Sequence, residues 1–125
     1  MKVKIHYHHT DSGGVVYYAT YLKFLEEART EYFEQRGLSI KELAGQGVLF
    51  VVCRQEIDYR YPAVYADTLN VETWISRMTA VRIEFLARIT NQNKALVSEA
   101  KTVLVCVDKD LKPMALPQDF RGKLS

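Results

Sequence analysis

The chain is short of cysteine, proline and glycine, has no long apolar run and carries little net charge. Each shortage removes a class of protein. Two cysteines, Cys53 and Cys106, without accompanying His/Cys spacing make neither a disulfide framework nor a zinc site. Both fall in strand-like runs, so buried thiols are expected. Three prolines and six glycines among 125 residues leave no internal repeat, low-complexity tract or interdomain linker. No segment approaches the roughly 20 apolar residues of a membrane span, and Met1-Lys2-Val3-Lys4-Ile5-His6 has no apolar core of signal-peptide length. A cytoplasmic address and no integral membrane segment are the expectation. A formal charge of +2 without a basic run argues against nucleic acid, while it suits a small anionic substrate if the cations cluster. What remains, 48% hydrophobic and 26% charged, is the composition of one soluble globular domain over residues 1–125. A chain of this length hides roughly two-thirds of its unfolded surface.

Hydrophobic periodicity divides the chain. Residues 2–9 alternate, with Val3, Ile5 and Tyr7 on one face and Lys2, Lys4, His6 and His8 on the other, the pattern of a half-buried strand. His6 and His8 share a face, yet two histidines without a third ligand nearby read as surface residues, so no metal site is expected. From Tyr18 to Arg36 the residues Tyr21, Leu22, Phe24, Leu25, Ala28, Tyr32 and Phe33 recur at helical spacing. That predicts a core helix about 28 Å long, stopped by Gly37. Ser39-Ile40-Lys41-Glu42 matches a capping box opening a short helix to Ala44 or Gln46. Strands are expected over residues 48–59, 67–76, 80–90 and 95–107, with Pro62 breaking the first and Asn91-Gln92-Asn93-Lys94 a turn before the last. Residues 48–52 and 103–107 are apolar on both faces, so a second subunit is expected to cover them. One long helix with five strands gives an α+β fold, an antiparallel sheet curled around the helix.

The stretch Asp11-Ser12-Gly13-Gly14-Val15-Val16-Tyr17-Tyr18 joins the first strand to the core helix. Adjacent glycines permit close approach of backbone to a ligand. A helix beginning just beyond them offers unpaired N–H groups and a partial positive charge. Asp11 would then face a site able to polarise a carbonyl or hold an anion. The plainer alternative is an ordinary turn, with Asp and Gly as turn formers.

Tyr7-x-x-x-Asp11-x-x-Gly14-Val15-Val16-Tyr17-x-x-x-Tyr21, followed by Glu27-Ala28-Arg29, resembles the signature of hotdog-fold acyl-CoA thioesterases, in the branch of the YbgC-like and 4-hydroxybenzoyl-CoA thioesterases. The resemblance is dense from Ile5 to Gly37. It implies a hotdog fold, hydrolysis of a CoA-linked acyl or aromatic acyl thioester, no separate cofactor, and a homo-oligomer (dimer or tetramer) with sites at subunit interfaces. By the same resemblance Asp11 is the catalytic carboxylate, the Tyr18 backbone N–H polarises the thioester carbonyl, and Tyr7 is a catalytic helper. Gly13, Gly14, Val15 and Tyr17 become substrate-facing residues. Many YbgC-like members carry His where this chain has Tyr18, and the 4-hydroxybenzoyl branch resembles this chain there.

From the residues themselves, Asp11 can act as general base or as a nucleophile forming an acyl anhydride. Four extended residues separate Tyr7 from Asp11 by about 13 Å, so the two meet only if the chain turns between them. Arg82, Arg88 and Lys94 are candidates for the CoA phosphates, against the alternative of a solvated charged face. A hotdog dehydratase or hydratase needs a His with an acidic partner, and no histidine lies on the helix here. A non-catalytic acyl-binding protein is the other alternative, with the Asp11 and Gly-Gly pairing against it.

Overall fold

The computed structural model describes residues 1–124. Its elements run β1 (Lys2–Lys4), a 3₁₀ turn (Tyr7–His9), α1 (Thr20–Gln35), α2 (Ile40–Gly45), β2 (Leu49–Tyr59), β3 (Thr68–Met78), β4 (Arg82–Thr90), β5 (Leu96–Val107) and α3 (Gln118–Leu124). Five strands form one antiparallel sheet in the order β1-β3-β4-β5-β2. The sheet wraps α1, the arrangement that the resemblance implies.

Alternation explains the sheet's two faces. Ile83, Phe85, Ala87 and Ile89 of β4 are buried against the helix, with Arg82 and Arg88 among the residues pointing outward. On α1 the buried set is Tyr21, Phe24, Leu25, Ala28, Arg29 and Phe33. Two apolar clusters result. One gathers Ile5, Val16, Tyr21, Phe24 and Leu25 with Leu69, Val71 and Ile89, around the first half of α1. The other gathers Phe33 with Leu38, Val48, Phe85, Leu104 and Phe120, around its end. Phe33 touches three aromatic rings there, Phe50, Phe85 and Phe120, at 5.5–5.7 Å between centroids. Ser39 Oγ accepts the Glu42 N–H at 3.1 Å and so opens α2, one half of the expected capping box.

Several expectations need correction. The first strand ends at Lys4, because its partner β3 begins at Thr68, opposite Lys4. Ile5 makes one last exchange with the loop before β3, its N–H donating to the Asp67 carbonyl at 2.8 Å and its carbonyl accepting the Ala66 N–H at 3.0 Å, and the chain then coils into the 3₁₀ turn. Tyr7 therefore leaves the core face and is 73% exposed. α1 starts at Thr20, two residues after Tyr18, and Leu22 lies on its outer side. β4 begins at Arg82 rather than residue 80. Cys106 is buried, as expected, and burial pushes its thiol pKa up, whereas Cys53 is exposed. The reason is a bulge in β2 between Val52 and Arg54 that leaves Cys53 out of the ladder with β5. Of the two doubly apolar stretches, Val103–Val107 is buried, but Val51 and Val52 stand on the open side of β2. Helix α3 has no counterpart in the sequence reading.

Candidate active site

The Asp11 turn closes on itself. Its N–H bonds the Val15 carbonyl at 2.9 Å and its carbonyl accepts the Gly14 N–H at 3.0 Å. The Asp11 Oδ1 accepts the Gly13 N–H at 2.8 Å, which orients the carboxylate. Among the described residues no side chain donates to the other carboxylate oxygen, and Asp11 is exposed. Gly14 sits at φ +81°, where a side chain is strained. At Gly13 a Cβ would lie 3.2 Å from Asp11 Oδ1. The two glycines thus have different reasons to be glycine.

The turn is fastened on both sides. Val16 N–H bonds the Ala63 carbonyl at 2.8 Å, and Tyr17 N–H the His9 carbonyl at 2.9 Å. Tyr18 and Ala19 then lead into α1. No side chain caps that helix end. The Thr20 N–H bonds back to Tyr17, but among the described residues neither the Tyr18 nor the Ala19 N–H has an acceptor. The Tyr18 carbonyl is held by the Tyr59 hydroxyl, which donates at 2.8 Å. This fixes the plane of the peptide that follows Tyr18. The Tyr17 phenol pKa is raised by its hydrogen bond with the Tyr18 phenol, by the Tyr18 charge, by slight desolvation and by the negative charge of Asp11. Asp11, Tyr17 and Tyr18 are therefore electrostatic neighbours.

Tyr7 does come round to this end of the molecule, because the 3₁₀ turn bends the chain between it and Asp11. Its ring, however, stacks on Tyr65 at 4.0 Å and 9°. No hydrogen bond joins it to Asp11 among the described residues. Tyr59 and Tyr65 were missed by the sequence reading. The signal available was the tyrosine density around Pro62: Tyr59, Tyr61 and Tyr65. All three are exposed, as are Tyr7, Tyr17 and Tyr18. Tyr7, Tyr17, Tyr18, Tyr59 and Tyr65 thus gather exposed aromatic surface around the Asp11 turn.

The three candidate phosphate ligands divide. Arg88 and Lys94 line one cavity of about 540 Å³ with Thr68 and Gln92. Gln92 bonds Asp67, which accepts the Val64 N–H, and Val64 bridges to Val15 of the turn. That cavity belongs to the Asp11 end of the sheet. Arg82 lines a different cavity of about 420 Å³ with Arg54, Arg77 and Lys101. Six residues of β4 separate it from Arg88, or about 20 Å. Arg54 is tied to Glu56 at 2.6 Å. His6, His8 and His9 are bunched, His8 and His9 with ring centroids 4.0 Å apart. The His6 N–H donates to His9 Nδ1 at 2.9 Å. Among the described residues no group of three His, Cys, Asp or Glu side chains is placed to hold a metal ion.

Comparison with known proteins bears on the fold and the family. A family model described as the thioesterase-like superfamily matches residues 5–124. The acyl-CoA thioester hydrolase YbgC of Escherichia coli O6:H1 is 40% identical over 119 residues, covering 94% of this chain and 89% of that protein. The acyl-CoA thioesterase YbgC of Haemophilus influenzae is 39% identical over 122 residues, covering 96% and 89%. Among solved structures, a DHNA-CoA thioesterase from Staphylococcus aureus superposes with a TM-score of 0.94 at 26% identity, covering 98% of this chain and 85% of that one. The curled sheet around one long helix is thus the hotdog fold, and the chain belongs to the thioesterase-like superfamily, alongside the YbgC proteins.

Proposed function

We propose that this protein hydrolyses acyl-CoA thioesters, with Asp11 as general base or nucleophile and the Tyr18 main-chain N–H as oxyanion donor. The observation that carries the reading is the pairing of an exposed carboxylate, held by one hydrogen bond, with amides at the head of α1 that have no acceptor among the described residues. As base, Asp11 takes a proton from water while the hydroxide attacks the thioester carbonyl. As nucleophile, it attacks directly and water then cleaves the anhydride. Either route ends in a carboxylic acid and the CoA thiol. The oxyanion formed on the way is stabilised by the N–H donors, and the Tyr59 hydroxyl keeps the adjoining peptide from turning. The names of the YbgC relatives support the substrate class. No resident metal or cofactor is needed for these steps, so turnover is expected to be indifferent to EDTA.

For the CoA phosphates the reading favours Arg88 and Lys94, which share a cavity at the Asp11 end, over Arg82. A second copy of the chain completes the enzyme in this proposal, pairing along the free edge of β2, where Val51 and Val52 are exposed. The protein acts in the cytoplasm. The test is a panel of acyl-CoAs assayed by release of free thiol, run on the wild-type protein and on Asp11→Asn. Thiol release by the wild type that disappears in the variant is expected. No release from any short, long or aromatic acyl-CoA would refute the reading.

A further inference from the structure

The ring pair of Tyr7 and Tyr65 has no task in the chemistry above. The two rings lie nearly parallel, 4.0 Å apart, and both residues are exposed. Among the described residues neither ring has another aromatic neighbour. Main-chain bonds hold both in place. The Tyr7 carbonyl accepts the Thr10 N–H at 3.0 Å and the Thr10 hydroxyl at 2.7 Å, which closes the 3₁₀ turn. Tyr65 rides on the loop before β3. The Asp67 carboxylate spans that loop by accepting the Val64 N–H at 2.9 Å, and the Ala66 N–H donates to the Ile5 carbonyl at 3.0 Å. Rings already fixed, with open faces, offer a surface on which a further flat ring stacks at little ordering cost.

The same loop places the pair between two parts of the site. On one side of Tyr65, Val64 bridges to Val15 of the Asp11 turn. On the other, Asp67 accepts the Gln92 side-chain amide at 2.9 Å, and Gln92 Oε1 accepts the Thr68 N–H at 3.0 Å. Thr68 and Gln92 line the cavity that contains Arg88 and Lys94. Thr68 is three residues beyond Tyr65, so their Cα atoms are at most about 11 Å apart. One nucleotide can span that separation. We propose that the adenine of CoA stacks on the Tyr7–Tyr65 pair while its phosphates lie on Arg88 and Lys94, and that this stack selects CoA over thioesters carried on phosphopantetheine alone. The inference rests on the proposed hydrolysis for its carrier. Thioesters on CoA and on a carrier protein share the acyl group, the pantetheine arm and one phosphate, and only CoA adds a base. Pantetheine presents no flat face, and the thioester carbonyl is assigned to the head of α1. Adenine is the one flat ring that every acyl-CoA brings.

Calorimetric titration of the full-length protein with CoA and with 4′-phosphopantetheine tests this without turnover. Tyr7→Leu and Tyr65→Leu keep apolar bulk and remove the ring face. Each should weaken CoA binding by about tenfold, the scale of one base–aromatic stack, and leave 4′-phosphopantetheine unaffected. Tyr65→Phe keeps the ring and should bind CoA as the wild type does. Melting curves establish that the variants fold. In thiol release, kcat/KM for octanoyl-CoA relative to octanoyl-phosphopantetheine should fall by the same factor in the leucine variants. Weakened CoA binding in those variants upholds the stack even where no acyl-CoA is hydrolysed, so this inference and the hydrolase reading fail separately. No saturable binding of CoA to the wild type, or unchanged CoA affinity in both leucine variants, overturns the proposal. So does equal weakening of both ligands, which assigns the rings to the pantetheine arm. Loss of the oligomer at unchanged CoA affinity also overturns it, because the rings then belong to a second copy.

Discussion

In the proposed mechanism Asp11 and Tyr18 divide the work between a side chain and a main chain, and substitutions separate the two. Asp11→Asn keeps size and loses the ability to accept a proton or attack, so most turnover should vanish with the fold intact. Tyr18→Phe keeps the amide and should cost little. The two variants should differ by at least about a hundredfold in kcat if the amide is the donor, the scale on which loss of a single catalytic group is felt (about 2.7–4 kcal/mol for one oxyanion donor). Equal damage would instead assign the task to the Tyr18 phenol, which meets the Tyr17 hydroxyl. The glycines give a second pair. Gly14→Ala forces a side chain into φ +81° and should cost about 1 kcal/mol of stability, read by denaturant unfolding. Gly13→Ala presses on Asp11 Oδ1 and should lower kcat more than stability. These residues were legible because the turn is local: its hydrogen bonds run within Asp11–Val15, so residue types and spacing carry it. Tyr7 was not, since its surroundings are made by Tyr65, far along the chain.

Among the elements, α1 and the strands β2 to β5 could be read from periodicity, because each buries one face over many residues. Where reading failed, the cause lay in a neighbouring element. Val3, Ile5 and Tyr7 alternate as a strand does, but β3 begins at Thr68 and the backbone exchange stops at Ile5, with Asp67 and Ala66. Helix α3 offers only Phe120 and Leu124 to the core, too few for a period to show. The 3₁₀ turn that replaces the strand has its own pH dependence. His9 is held below the ordinary imidazole range, first by burial and then by the charges of His8, His6 and Lys23. The folded state therefore binds fewer protons there than the unfolded chain. Stability from this group is full above the ordinary value of about 6.5 and falls as pH drops toward the depressed folded pKa. Protonation at Nδ1 would also break the bond from the His6 N–H. Melting temperature should fall between pH 7.5 and 5.5 by more in the wild type than in His9→Asn. On α1, Phe33→Ala should cost about 3–5 kcal/mol in denaturant unfolding, since three aromatic neighbours lose their common contact.

The whole molecule leaves one long edge open. β2 spans eleven residues with a partner on one side only, and Val52 on it is 51% exposed. An exposed apolar edge invites another strand. Val52→Lys should keep the fold and move sedimentation toward the 14.4 kDa monomer. A wild-type protein that already sediments as a monomer at micromolar concentration would refute the edge pairing. Exposed Cys53, beside Val52, should react with a thiol reagent faster in the Val52→Lys variant, while Cys106 stays protected in both. The sheet order also sets a timetable for the newborn chain. β2 leaves the ribosome before β5, its neighbour in the sheet, and the pairing of Tyr59 with Ser98 waits for 98 − 59 = 39 further residues. At about 5–20 residues per second that wait lasts about 2–8 s. During it the Leu49–Val52 end of β2 is without a partner strand, so nascent chains stalled short of β5 should aggregate or recruit chaperones more than chains released whole.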